Sequence, residues 1–196
     1  MSTSVATKLR GIGVIGAVPV CDTLRVVADI RNPVPLEIEA REGRKLILAW
    51  SLHYFHETGL NIKDVLDCIF SATPAPLLAR LRTVEVVVQE NDIHVPEYLS
   101  LIDQVEALHL TGAQGIITEI VRQHLACTTS HDSAGNPVLQ PSMTLPFPNL
   151  RFITLDNIRL SAKAVGHCDL RTALFLMCAL RKNEGVEVTL VLINGR

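Results

Sequence analysis

The chain has 196 residues, 48% of them hydrophobic and 19% charged, which suits one domain with a substantial core and excludes general disorder. Its net charge is −2, its Lys and Arg are scattered and its aromatics amount to 4%, so neither a phosphate-binding stripe nor base-stacking platforms are available, and nucleic acid and acidic membrane surfaces are not expected partners. The five cysteines (Cys21, Cys68, Cys127, Cys168, Cys178) show no paired spacing and read as small buried hydrophobes, the apolar run 11–20 is broken by three glycines and a proline, and no membrane-length apolar stretch occurs; a soluble cytoplasmic or nuclear protein is expected.

From the N-terminus, Leu9-Arg-Gly-Ile12-Gly-Val14 reads apolar-Arg-x-apolar-x-apolar. Overlapping it, Gly11-x-Gly13-x-x-Gly16 matches the dinucleotide fingerprint, with Glu37 and Glu39 near the place of a ribose-binding acid. The register is poor, because the better strand, 12–15, lies inside the glycine motif rather than before it. Asp22–Arg31 offers Leu24, Val27 and Ala28 at helical spacing, so a helix is expected there. Leu36-x-Ile38-x-Ala40 and Leu46-x-Leu48-x-Trp50 alternate around Glu42-Gly43-Arg44, which predicts a β-hairpin insertion over about 35–51. His53-x-x-His56-Glu57 has metal-like spacing but supplies too few ligands alone.

Ile62, Val65, Leu66, Ile69 and Phe70 form one stripe behind Asn61, a helix over 61–70. The apolar frame returns as Leu81-Arg-Thr-Val84-Glu-Val86 and, with Glu for Arg, as Val105-Glu-Ala-Leu108-His-Leu110; a weaker helix is read between them over 96–103. Ile116, Ile117, Ile120, Val121 and Leu125 predict a helix over 114–126. His124-x-x-Cys127-x-x-x-His131 also has metal-like spacing, yet it runs from that helix into a loop and lacks four ligands. Residues 128–148, polar and proline-rich, read as a flexible surface loop. Ser130-His131-Asp132 holds triad residue types, but adjacent residues cannot converge as a triad must. The frame recurs in Leu150-Arg-Phe-Ile153-Thr-Leu155. Leu170, Ala173, Leu174, Met177 and Leu180 then predict a helix over 169–182, with Asp169 at its start, Arg181 and Lys182 suited to the dipole at its end, and Gly185 as a stop. Val188-Thr-Leu190-Val-Leu192 closes the chain as a strand.

Strand and helix thus alternate, and a short motif returns, which is the mark of stacked repeats. The fold expected over 1–196 is a single α/β domain: an irregular leucine-rich-repeat-like solenoid whose curved, mostly parallel sheet carries helices on one face. In the frame, Thr83, Glu85 and Val87, then Ala107, His109 and Thr111, then Phe152, Thr154 and Asp156 point away from the helices. Of these, Thr83, Glu85, His109, Thr111, Phe152, Thr154 and Asp156 are the candidate protein-binding residues, with Phe152 as the natural anchor.

Pro148-Asn-Leu150-Arg-Phe-Ile153-Thr-Leu155, a helix ending in Ala179-Leu-Arg-Lys-Asn-Glu-Gly185, and a last strand together resemble the C-terminal repeat region of fungal F-box proteins. Pro76-Leu-Leu78-Ala-Arg-Leu81-Arg-Thr-Val84 looks like a second opener of that kind, and the hairpin like an insertion seen there. The resemblance implies a non-catalytic protein-interaction domain, the substrate-recognising part of an F-box-type ubiquitin ligase adaptor, with no cofactor and no metal. An F-box has no counterpart before Leu9, so a Skp-type adaptor is not expected to bind. The asparagine that usually follows the strand is missing from its frame positions, Gln89, Ala113 and Ile158. The alternative is a nucleotide-binding α/β enzyme fragment using Gly11, Gly13 and Gly16. That reading requires a sheet covered on both faces; the repeat reading requires helices on one.

Overall fold

Alternation decides the first strand. Leu24 and Val26 stand on one side of Thr23–Ala28 and Arg25 and Val27 on the other, and the segment is strand β1 in the computed structural model, which describes residues 21–28, 36–52, 80–88, 104–127, 130–131, 137–138 and 147–195. The helix expected over Asp22–Arg31 is therefore corrected. Leu24, Val27 and Ala28 fit a helical stripe, but Leu24 and Val26 also fit a period of two, and adjacent β-branched valines favour the strand. The dinucleotide reading needed a helix there, and the glycines themselves lie outside the described residues, as do the helices expected over 61–70 and 96–103.

The remaining elements are β2 (Leu36–Glu42), β3 (Lys45–Leu52), β4 (Thr83–Val88), β5 (Ala107–Thr111), α1 (Gln114–Cys127), β6 (Ser130–His131), β7 (Pro137–Val138), β8 (Phe152–Asp156), β9 (Lys163–Val165), β10 (Cys168–Asp169), α2 (Leu170–Asn183) and β11 (Thr189–Ile193). Seven of the described strands form one sheet in the order β11-β8-β5-β4-β1-β2-β3. From β1 to β11 every pairing is parallel and each parallel strand lies beside the next one in the chain. The antiparallel hairpin β2–β3 is added at the β1 edge, and Gly43 (φ 56°) makes its two-residue turn in the left-handed region that glycine enters without penalty.

The register stacks like on like. Leu24, Val84, Leu108, Ile153 and Leu190 are successive partners across five strands, and Val26, Val86, Leu110, Leu155 and Leu192 form the next row. Below them lie the buried anchors Cys21, Leu81, Val105 and Leu150. All but the β11 residues are buried, and they share one core with Ile116, Ile117, Ile120 and Val121 of α1 and Leu170, Ala173, Leu174 and Met177 of α2. Both described helices thus seal the same sheet face.

The backbone repeats too. At the strand starts, the carbonyl of Asp22 accepts from the N–H groups of Arg82 and Thr83, that of Arg82 from Glu106 and Ala107, that of Glu106 from Arg151 and Phe152, and that of Arg151 from Thr189. At the strand ends, Gly112 (φ 66°), Asn157 (φ 54°) and Asn194 (φ 49°) each take the left-handed turn directly after β5, β8 and β11. The Gly112 N–H donates to Asp156 O and the Asn157 N–H to Ile193 O, so the first two turns are each tied to the end of the next strand. An asparagine does follow two strands: Asn157, one position before the buried frame position Ile158, and Asn194 after β11, while Gly112 holds the place before the buried Ala113.

α2 starts as expected: Asp169 caps it, its carboxylate accepting from the Thr172 N–H at 2.8 Å, and that bond holds the carboxyl below its ordinary range. The loop expected over 128–148 is corrected at two places. Ser130–His131 pairs with Pro137–Val138, and Phe147 is among the largest fully buried side chains.

Candidate interaction face

The seven candidate residues all fall on the sheet face opposite the core, because each alternates with a buried neighbour in its strand: Thr83 and Glu85 with Val84 and Val86, His109 and Thr111 with Leu108 and Leu110, Phe152, Thr154 and Asp156 with Ile153 and Leu155. Parallel registry arranges them in rows. Thr83, Ala107, Phe152 and Thr189 form one; Glu85, His109, Thr154 and Val191 the next; Val87, Thr111, Asp156 and Ile193 the third.

Charge divides the face into two halves. On β1, β2 and β4 the ionic groups satisfy one another: Arg25 lies 3.5 Å from Glu39 and 3.6 Å from Glu85, and Arg41 pairs with Glu39 at 2.7 Å. Glu85 is thus half of an exposed ion pair rather than a free acid, and such pairs contribute little to stability. Glu39, a candidate ribose ligand in the nucleotide reading, is occupied by two arginines. On β5, β8 and β11 the face is almost free of charge. Phe152 is 51% exposed there, with Val191 diagonally across on β11 at 44% and Ile193 farther along that strand at 43%. The Asp156 carboxylate, at the end of this half, accepts from Asn194 Nδ2 at 3.0 Å.

Sequence reasoning missed Arg25, Val191 and Ile193 on this face. Arg25 was hidden by the helical reading of β1. The other two were signalled by the alternation of the last strand, which lacks the apolar anchor of the earlier units.

Among the described residues, Cys21, Arg181 and His124 lie in the core instead, and Cys178 packs against it. Cys21 is buried and its thiol is pushed up to about 11, mainly by burial and further by Asp22, the opposite of what a nucleophilic thiolate needs. Burial likewise raises the Cys178 thiol. Arg181 is buried rather than exposed at the helix end: its Nη2 donates to Phe147 O at 2.7 Å and its Nη1 to Leu150 O at 3.2 Å, fixing the loop that leads into β8. His124, one of the metal-spaced residues, sits fully inside the core, and no group of three metal-ligating side chains occurs among the described residues. His131 is on β6, while His53, His56 and Asp132 lie outside the described residues.

Burial, reinforced by the Arg181 charge, lowers the His124 pKa from 6.5 to about 4. The unfolded chain therefore takes up a proton that the folded chain refuses. Stability is full above the unfolded value and is lost as the pH falls from there towards the folded one. By pH 5 the loss amounts to about 2 kcal/mol. Denaturant unfolding at about pH 7.5 and about pH 5 measures it, in a window above most carboxylate titration. In a His124→Leu protein the slope should largely vanish; an unchanged slope would place the titration elsewhere.

Comparison of the chain with protein-family models, with curated proteins and with solved structures finds no match.

Proposed function

We propose that this is a non-catalytic protein-binding domain whose partner docks on the open sheet face around Phe152. The observation that carries the proposal is a half-exposed Phe152 in an almost uncharged field of Ala107, His109, Thr154, Thr189 and Val191, on the face opposite both described helices. A large aromatic side chain ringed by small uncharged groups loses little on desolvation and gains its full apolar area, which is how binding hot spots arise. The architecture belongs to the same proposal. The unbroken strand order from β1 to β11, with strand starts and strand ends tied by the same bonds in successive units, supports an irregular leucine-rich-repeat-like solenoid, in which such faces commonly receive partners. The finer reading is the recognition arm of an F-box-type ubiquitin ligase adaptor, for which the support is the motif resemblance around Leu150 and Leu81.

Quantitative affinity capture from cell extract tests this with three baits: the unaltered chain, a Phe152→Asp/Thr154→Arg protein, and a Phe175→Ser protein altered at an exposed position of α2. The expected result is a specific protein retained by the first and third baits and reduced about tenfold or more with the second, the loss that an anchor residue carries. Ubiquitin ligase components among the retained proteins would support the finer reading. Equal capture by all three would overturn docking around Phe152, and retention of the chain on an immobilised dinucleotide would favour the nucleotide-binding alternative.

A further inference from the structure

Strand β11 ends the sheet, and among the described residues nothing pairs with its outer edge. The Thr189 N–H donates inward to Arg151 O at 2.7 Å and the Ile193 carbonyl accepts inward from the Asn157 N–H at 3.1 Å. In a parallel pairing a residue's two backbone groups point to the same side and successive residues alternate, so the N–H and C=O of Leu190 and Leu192 point outward. Natural edges are ordinarily protected by lysine, proline, a bulge or a covering element. The strand Thr189-Leu190-Val191-Leu192-Ile193 carries none of the first three, and every side chain but Leu190 is exposed: Leu192 is 46% exposed although its row is buried in β1, β4, β5 and β8.

We propose that β11 pairs antiparallel with β11 of a second copy of this chain, about a twofold axis through Val191. The occupant follows from the order of the strand, which reads nearly alike in both directions from that residue. In this register Leu190 faces Leu192 of the partner subunit and Thr189 faces the partner's Ile193. Val191 meets the partner's Val191, and no charge meets its like within the strand. The outward amides then form two hydrogen-bonded pairs, Leu190 with the partner's Leu192 and the reverse, which satisfies every outward polar group of those two leucines. The Leu–Leu contacts also extend the buried row over the exposed Leu192. The twofold arrangement closes on itself, whereas pairing β11 with the opposite edge strand β3 would propagate an open filament and bring Lys45 to the contact. The result is one continuous sheet of twice the width with helices on the same side. The pairing does not depend on the function proposed above.

Sedimentation velocity on the full chain at concentrations up to about 100 µM, where even weak pairing is populated, should show a dimer that Leu192→Lys converts to monomer with its circular dichroism retained. A second measurement does not rely on that variant folding. Facing residues in a non-hydrogen-bonded antiparallel pair have Cα atoms about 4.5 Å apart, inside the range of a disulfide. Mild oxidation should therefore crosslink a Val191→Cys protein into a covalent dimer, while Thr189→Cys and the unaltered chain with its five native cysteines stay uncrosslinked. A monomer at all concentrations, a dimer that Leu192→Lys leaves intact, or crosslinking of Thr189→Cys as fast as Val191→Cys would overturn the proposal.

Discussion

Replacing Ile153 with alanine is expected to lower the unfolding free energy by about 3 kcal/mol, whereas Thr154→Ala, one residue along the same strand, should change it by less than about 0.5 kcal/mol. The contrast follows from the register. Ile153 is wholly buried between Leu108 and Leu190 in one of the two five-residue rows of the core, and truncation removes its transfer free energy and leaves a cavity that neighbours fixed in two parallel strands cannot collapse into. Thr154 stands on the open face between His109 and Val191, with its side chain only partly covered. Urea unfolding at neutral pH measures both. Similar effects at the two positions would mean that the faces are wrongly assigned, because a one-residue slip exchanges them.

Arg181→Met should cost about 3 kcal/mol and also alter the pH dependence. The guanidinium is buried and joins α2 to two carbonyls of the segment entering β8, Phe147 O and Leu150 O. Methionine fills much of the volume but donates nothing, so two buried carbonyls lose charged donors; the fork geometry also makes Arg181→Lys a poor substitute. Because the Arg181 charge is one of the two causes that lower the His124 pKa, its removal raises that pKa towards the ordinary value. The stability lost between pH 6.5 and about 5 then shrinks, which unfolding curves at the two ends of that interval read directly. A protein as stable as the original, with the same pH slope, would contradict the role assigned to Arg181.

Much of this was legible before the coordinates, and the exceptions have definite causes. The hairpin declared itself because two alternating runs flank Gly43, the residue that its turn requires. The two helices were marked by wide stripes, and α2 also by Asp169 and Gly185 at its ends. The open face could be listed residue by residue from Thr83 to Asp156, since the last two apolar positions of each motif fix the parity of its strand. β1 was misread because a six-residue apolar segment satisfies both periods, and only its pairing with β4 decides between them. With β1 misplaced, the Arg25–Glu85 pair could not be foreseen. The burial of Arg181 and His124 was not anticipated. Arg181 lies four residues after Met177 and His124 seven after Ile117, both on the buried stripe of their helices, so position signalled burial where polarity argued against it. The left-handed Asn157 was sought one residue too late, at Ile158, because the motif fixes the strand but not the length of the turn that follows it.

Methyl nuclear Overhauser spectroscopy of the labelled chain tests the underlying arrangement most directly. The account predicts that Leu108 gives cross-peaks to both Val84 and Ile153, and that Ile153 also gives one to Leu190, with the methyls of Val84, Leu108 and Ile153 not reached by a soluble paramagnetic probe that broadens Val191. Cross-peaks linking these residues to other partners, or equal broadening of Ile153 and Val191, would contradict it.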